Sequence, residues 1–98
     1  MTAADILITK PITPMAYDII VSETAENDLR KFDSSIQKRF FDRVGKLKDY
    51  PKVYGKPLRR PLQGKWELRF ERRWRIVYEV NDEEKIVKIV AIWHKDEF

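Results

Sequence analysis

Trp66-Glu67-Leu68-Arg69-Phe70-Glu71-Arg72-Arg73-Trp74-Arg75-Ile76-Val77-Tyr78-Glu79-Val80 is the stretch that decides the fold. Trp66, Leu68 and Phe70 alternate with Glu67, Arg69 and Glu71, and Trp74, Ile76, Tyr78 and Val80 alternate with Arg73, Arg75, Val77 and Glu79. A period of two with apolar residues on one side marks a half-buried strand. Two such strands around a charged break predict a pair with one face on a core and the other open to water. The open face should carry Glu67, Arg69, Arg73 and Arg75 together, with His94-Lys95 expected beside them.

Towards the C-terminus, Asn81-Asp82-Glu83-Glu84 reads as a turn, and Ile86 to Trp93 is almost continuously apolar, as expected of a central strand. Towards the N-terminus, residues 51–65 hold Pro51, Gly55, Pro57, Pro61 and Gly64 and read as a stiff, basic loop. Before it come two helical patterns. Ser22 is a natural N-cap for the first, with Glu23 and Glu26 favoured by the helix dipole. Ala25, Leu29 and Phe32 mark its buried stripe over about three turns. Ser34 with Gln37 reads as a capping box for the second helix, whose apolar face is Ile36, Phe40, Val44 and Leu47 reinforced by Phe41, with Pro51 ending it. Tyr17-Asp18-Ile19-Ile20-Val21 precedes both as a first strand.

Strand, helical hairpin and a three-strand antiparallel meander define an α+β fold with the helices on one face of the sheet. Residues 15–98 read as a single domain. Residues 1–14, with Pro11 and Pro14, read as an N-terminal extension that need be neither ordered nor native, although Ile6, Leu7 and Ile8 could add a short strand.

Composition narrows the chemistry. The 98 residues are 43% hydrophobic and 37% charged, which suits one folded domain with a crowded ionic surface. There is no cysteine and one histidine, so a disulfide framework, a thiol nucleophile and a cysteine- or histidine-based metal site are not expected, and no cofactor is implied. No apolar run approaches the roughly 20 residues that span a bilayer. The start lacks the order of a secretory signal, so the expected location is the cytoplasm, with no membrane partner. Between Lys56 and Arg75 eight basic residues face two carboxylates, a local excess larger than the net +4 of the whole chain. Such clustering points to a polyanionic partner, the plainer alternative being a salt-bridged sheet face.

The run Pro57-Leu58, then Leu62-Gln63-Gly64-Lys65-Trp66-Glu67-Leu68-Arg69, Trp74-Arg75-Ile76-Val77-Tyr78 and Ala91-Ile92-Trp93-His94-Lys95 resembles the RelE/ParE superfamily of toxins from toxin–antitoxin systems. The resemblance covers roughly Tyr17 to Phe98 and favours the RelE-like branch. It implies a metal-independent endoribonuclease that cuts messenger RNA on the ribosome, a cognate antitoxin as partner, and DNA contact only indirectly, through that antitoxin. The ribose 2′-hydroxyl would attack its own adjacent phosphate, which calls for a base, an acid and positive charge around phosphorus.

Carried over residue by residue, the resemblance makes Arg75 the phosphate-stabilising arginine. Arg69 is a second cation, and Glu67 and His94 are the candidate proton carriers. Lys65, Arg72, Arg73, Lys95 and Phe98 are candidate RNA contacts. Two departures stand out: Lys95 occupies a common arginine position, and Phe98 lies near a family tyrosine yet has no hydroxyl. Trp66 and Trp74 alternate onto the apolar face and read as core. The alternatives are a ParE-like non-nuclease toxin that binds and inhibits DNA gyrase, and a structural RNA-binding module.

Overall fold

The computed structural model describes residues 16–97 and the backbone of 5–9. Along them run β1 (Asp5–Thr9), β2 (Asp18–Ser22), α1 (Glu23–Leu29), α2 (Ser34–Gly45), a 3-10 turn (Lys46–Lys48), β3 (Lys56–Pro57), β4 (Trp66–Phe70), β5 (Trp74–Asn81), β6 (Ile86–His94) and a second 3-10 turn (Lys95–Glu97). The strands form one sheet in the order β1-β2-β6-β5-β4-β3. As the continuous apolar run predicts, β6 is central, flanked by β2 and β5. The α+β class and the helical hairpin are as expected. The sheet is mixed, however, because β2 runs parallel to β6, with Asp18 opposite Ile86 and Val21 opposite Ile89. The helical hairpin is the crossover that makes a parallel partner reachable.

Residues 5–9 pair antiparallel with β2, so the strand allowed for Ile6, Leu7 and Ile8 forms. The other positions of the 1–14 extension, and Phe98, lie outside the described residues.

The helices cover one face of the sheet. Ala25 and Leu29 of α1 and Phe40, Val44 and Leu47 from α2 onward pack against Leu68, Phe70, Ile76, Tyr78, Val87, Ile89 and Ile92. Ser22 caps α1 as predicted, its Oγ accepting the Ala25 N–H at 3.1 Å, and the same hydroxyl donates to the Val90 carbonyl at 2.8 Å. α1 is seven residues, two turns rather than three, since residues 30–32 tighten into a turn before the next helix. The second N-cap is Asp33, not Ser34. Its carboxylate accepts from Ile36 N at 3.0 Å, and Gln37 reaches the Phe32 carbonyl instead of closing a box. A carboxylate one residue earlier competes better for the orphan N–H than the Ser34 hydroxyl. Phe41, expected to reinforce the apolar face, is 39% exposed.

Tyr78 is the largest of the fully buried side chains. Its ring stacks on Trp66 and its hydroxyl donates to the Pro51 carbonyl, tying the sheet to the loop after α2. That loop can approach only because residue 55 is glycine: a Cβ there would stand 1.8 Å from Tyr78 Oη and 2.8 Å from the Glu67 carbonyl oxygen. Burial pushes the Tyr78 phenol well above its ordinary 10.0. A phenol raised in the folded state contributes its full stability below about pH 10, and loses it as pH climbs from there towards the folded value. Urea midpoints between about pH 9 and 11.5 should therefore fall more steeply for the wild type than for Tyr78→Phe. Parallel curves would show that the buried phenol is not what resists alkali.

No helix among the described residues is long and apolar enough to cross a membrane.

Candidate functional site

β4 and β5 are antiparallel with Glu67 opposite Val77 and Arg69 opposite Arg75. This register makes Glu67 the diagonal neighbour of Arg75 on the open face, within reach of a long side chain. Glu67 Oε1 lies 3.5 Å from Arg75 Nε, and the two side chains are only 22% and 14% exposed. Nη1 of Arg75 donates to the Trp74 carbonyl at 2.9 Å and lies 3.4 Å from that of Arg72. Nη2 donates no hydrogen bond among the described residues. The guanidinium is thus oriented along one edge, and among the described residues its other amino group is left for an anionic oxygen.

Arg69 is exposed and directly opposite Arg75, an arrangement of like charges that costs stability unless an anion lies between them. Arg72 and Arg73 are exposed on the β4–β5 turn, beside this pair. The structure therefore brings together Glu67, Arg69 and Arg75, with Arg72 and Arg73 at the rim.

Three other positions fall elsewhere. Lys65 forms an ion pair with Glu79 at 3.0 Å, four residues along β5 from Arg75 and so on the order of 13 Å away. Lys95 leaves the sheet in the final 3-10 turn, where its backbone N–H donates to the Arg73 carbonyl at 2.8 Å. His94 pairs with Trp74 and its ring meets that indole edge-on at 5.2 Å, whereas Trp93 is the residue opposite Arg75. Trp74 itself packs on Phe32 of the helical layer, so His94 is on the helix side of the sheet and Trp93 on the Arg75 side. His94 Nδ1 accepts the Asp96 N–H at 3.2 Å.

The cause is a bulge. Val77 pairs with Ala91 and Tyr78 with Ile89, leaving Val90 unopposed. One extra residue exchanges the two faces beyond it, so Ile92 turns into the core and His94 follows. Simple alternation from Lys88, which faces Glu79, would have put His94 beside Arg75.

Trp66 and Trp74 pack against the core, as their alternation predicts. Two further residues escaped the pattern reading. Arg43 of α2 reaches round the edge of the sheet and donates twice to the Arg69 carbonyl, at 3.2 and 2.8 Å. Arg39, one turn earlier, forms a two-point ion pair with Glu71. Both sit directly before buried positions Phe40 and Val44, where a long side chain flanking the apolar stripe can extend to the sheet edge. With Lys46 and Arg72 they line a groove between α2 and β4 that continues the basic surface beyond the open face. Among the described residues no three His, Asp or Glu side chains converge to hold a metal ion.

A family model described as the ParE toxin of the type II toxin–antitoxin system parDE matches residues 19–97. Toxin RelG of Mycobacterium tuberculosis (strain ATCC 25618 / H37Rv) is 33% identical over 82 residues, which span 83% of this chain and 93% of RelG. Among solved structures, a chain of the RelBE2 toxin–antitoxin complex from M. tuberculosis superposes with a TM-score of 0.76 at 31% identity, covering 85% of this chain and 95% of that one. A free-state mutant of Escherichia coli toxin RelE gives 0.70 at 21% identity over 85% and 87% of the two chains, a likeness of fold.

Proposed function

The chain belongs to the ParE toxin family of type II toxin–antitoxin systems, within the RelE/ParE superfamily, and from that premise we propose that it is a metal-independent endoribonuclease that cuts messenger RNA on the ribosome and so stops translation. The observation that carries this reading is the Glu67–Arg75 pair with Arg69 opposite: a carboxylate and two arginines gathered on one face of neighbouring strands.

In this reading Arg75 and Arg69 hold the non-bridging oxygens of the scissile phosphate and offset the charge that grows on phosphorus. Glu67 takes the proton of the 2′-hydroxyl, whose oxygen bonds to phosphorus as the bond to the 5′-oxygen breaks. The products are a 2′,3′-cyclic phosphate and a 5′-hydroxyl. The leaving 5′-oxygen takes its proton from water at the open face, or from His94 where the RNA bends round the end of β6 to reach it. Arg72 and Arg73 contact flanking phosphates.

The antitoxin that we assign as partner would cover this basic face, a role consistent with the similarity to a chain of the RelBE2 toxin–antitoxin complex. Any contact with DNA would be made through that antitoxin, and the site of action is the cytoplasm.

One observation favours a second reading. With His94 turned to Trp74, a second proton carrier is not beside Arg75, as suits a ParE-like toxin that binds gyrase and cuts nothing. Mapping messenger RNA ends on ribosomes after induction of the wild type and Glu67→Gln separates the two. The nuclease predicts cuts at fixed codon positions, reduced roughly 100-fold in the variant, the scale of a lost general base. Intact messages accompanied by altered plasmid supercoiling would establish the gyrase reading instead.

A further inference from the structure

Arg39 crosses from α2 to the β4–β5 turn and lays its planar fork on Glu71, with Nε to Oε2 and Nη2 to Oε1 both at 2.9 Å. A two-point pair of this kind fixes direction as well as distance. The turn it grips is one that needs holding. Glu71 and Arg72 have φ of +48° and +60°, a left-handed conformation unfavourable for residues carrying a Cβ, and neither is glycine or asparagine.

Two connections leave the same turn for the candidate site. The Arg72 carbonyl lies 3.4 Å from Nη1 of Arg75. The Arg73 carbonyl accepts the Lys95 N–H at 2.8 Å, immediately after the strand that carries Trp93 and His94. The Arg75 guanidinium and the end of β6 are thus both referenced to one three-residue turn, which Arg39 on Glu71 anchors to the helical layer.

We propose that Arg39 and Glu71 are positioning residues: their ion pair holds the 71–73 turn in its left-handed form, and the turn's carbonyls in turn set the direction of Arg75 and the place of the β6 end. The Nε–Nη2 edge of Arg39 is already committed to the Glu71 carboxylate, and it is through this contact that Arg39 acts on the turn. For its effect on catalysis the inference rests on the RNA-cleaving reading. The orientation of Arg75 can be read without it.

The test follows the Arg75 Nε–Hε resonance by NMR, and single-turnover cutting of ribosome-bound message, in the wild type, Arg39→Ala, Arg39→Lys and the exchange Arg39→Glu with Glu71→Arg. Arg39→Ala should shift the Arg75 resonance with the circular dichroism spectrum unchanged, while the Glu67 and Trp74 contacts keep it short of the position of a free arginine. It should lower the maximal rate about tenfold, with the concentration for half-maximal rate within about twofold, the pattern of lost alignment and not of lost binding. Arg39→Lys keeps charge without the fork and should rescue little, whereas the exchange should rescue most. An unmoved Arg75 resonance, or weaker binding at an unchanged maximal rate, overturns the proposal. A wild type that cuts no RNA removes the nuclease reading alone, and the Arg75 resonance then decides the positioning role by itself.

Discussion

Arg75→Ala is expected to lower the rate of messenger RNA cleavage by about 100- to 1,000-fold, the cost of removing one preorganised donor from a charge-developing transition state. The size of the effect comes from how the side chain is held. Its Nε faces Glu67, its Nη1 is committed to main-chain carbonyls, and it is only 14% exposed, so little reorganisation is needed when charge builds on the phosphate. Arg75→Lys should recover only a small part, because an ammonium cannot meet Glu67 and a phosphate oxygen in one plane. RNA affinity should fall far less than the rate, since Arg69, Arg72 and Arg73 remain to contact the backbone. Single-turnover cutting alongside an RNA-binding titration checks both halves. Cleavage within twofold of wild type would remove Arg75 from the reaction.

Phe40→Ala is expected to cost about 3–5 kcal/mol of folding stability, the usual loss for deleting a fully buried aromatic ring. Phe40 is 0% exposed and packs edge-on against Phe70 of β4 at 5.9 Å, joining α2 to the strand that bears Glu67 and Arg69. Against a total stability of about 5–15 kcal/mol for a domain this size, that loss is a large fraction. Its neighbour Phe41, 39% exposed, supplies the control: Phe41→Ala should shift the urea midpoint only slightly. Equal shifts in the two variants would mean that the core is not organised around the Phe40 side of α2.

The strands and helices that place this core were largely legible, for a physical reason. Leu68, Phe70, Ile76 and Tyr78 follow the period of a strand, and Ala25, Leu29, Phe40, Val44 and Leu47 that of a helix. Glu67, Arg69 and Arg75 were legible through the same alternation, which places them on one face. What alternation does not carry is pairing between distant strands. The parallel match of β2 with β6 leaves no local mark. Nor does the bulge at Val90, because 86–93 is apolar almost throughout and a one-residue slip within such a run changes no visible pattern. The misplacement of His94 follows directly from that. Arg39 and Arg43 were hidden for another reason: a charge beside a helix stripe reads as solvated until its cross-sheet partner is known.

The pairing of β2 with β6 also bears on when the protein comes into being. Residues 18–21 find their partners at 86–89, across most of the described chain. Until residues 86–89 are available to pair, the middle of the sheet cannot close, and the β4–β5 hairpin that carries Arg75 is left without the neighbour it needs for independent stability. The face around Arg75 is therefore completed late, only after a pairing that spans most of the described chain, and until then its charged side chains ride on an unsupported hairpin.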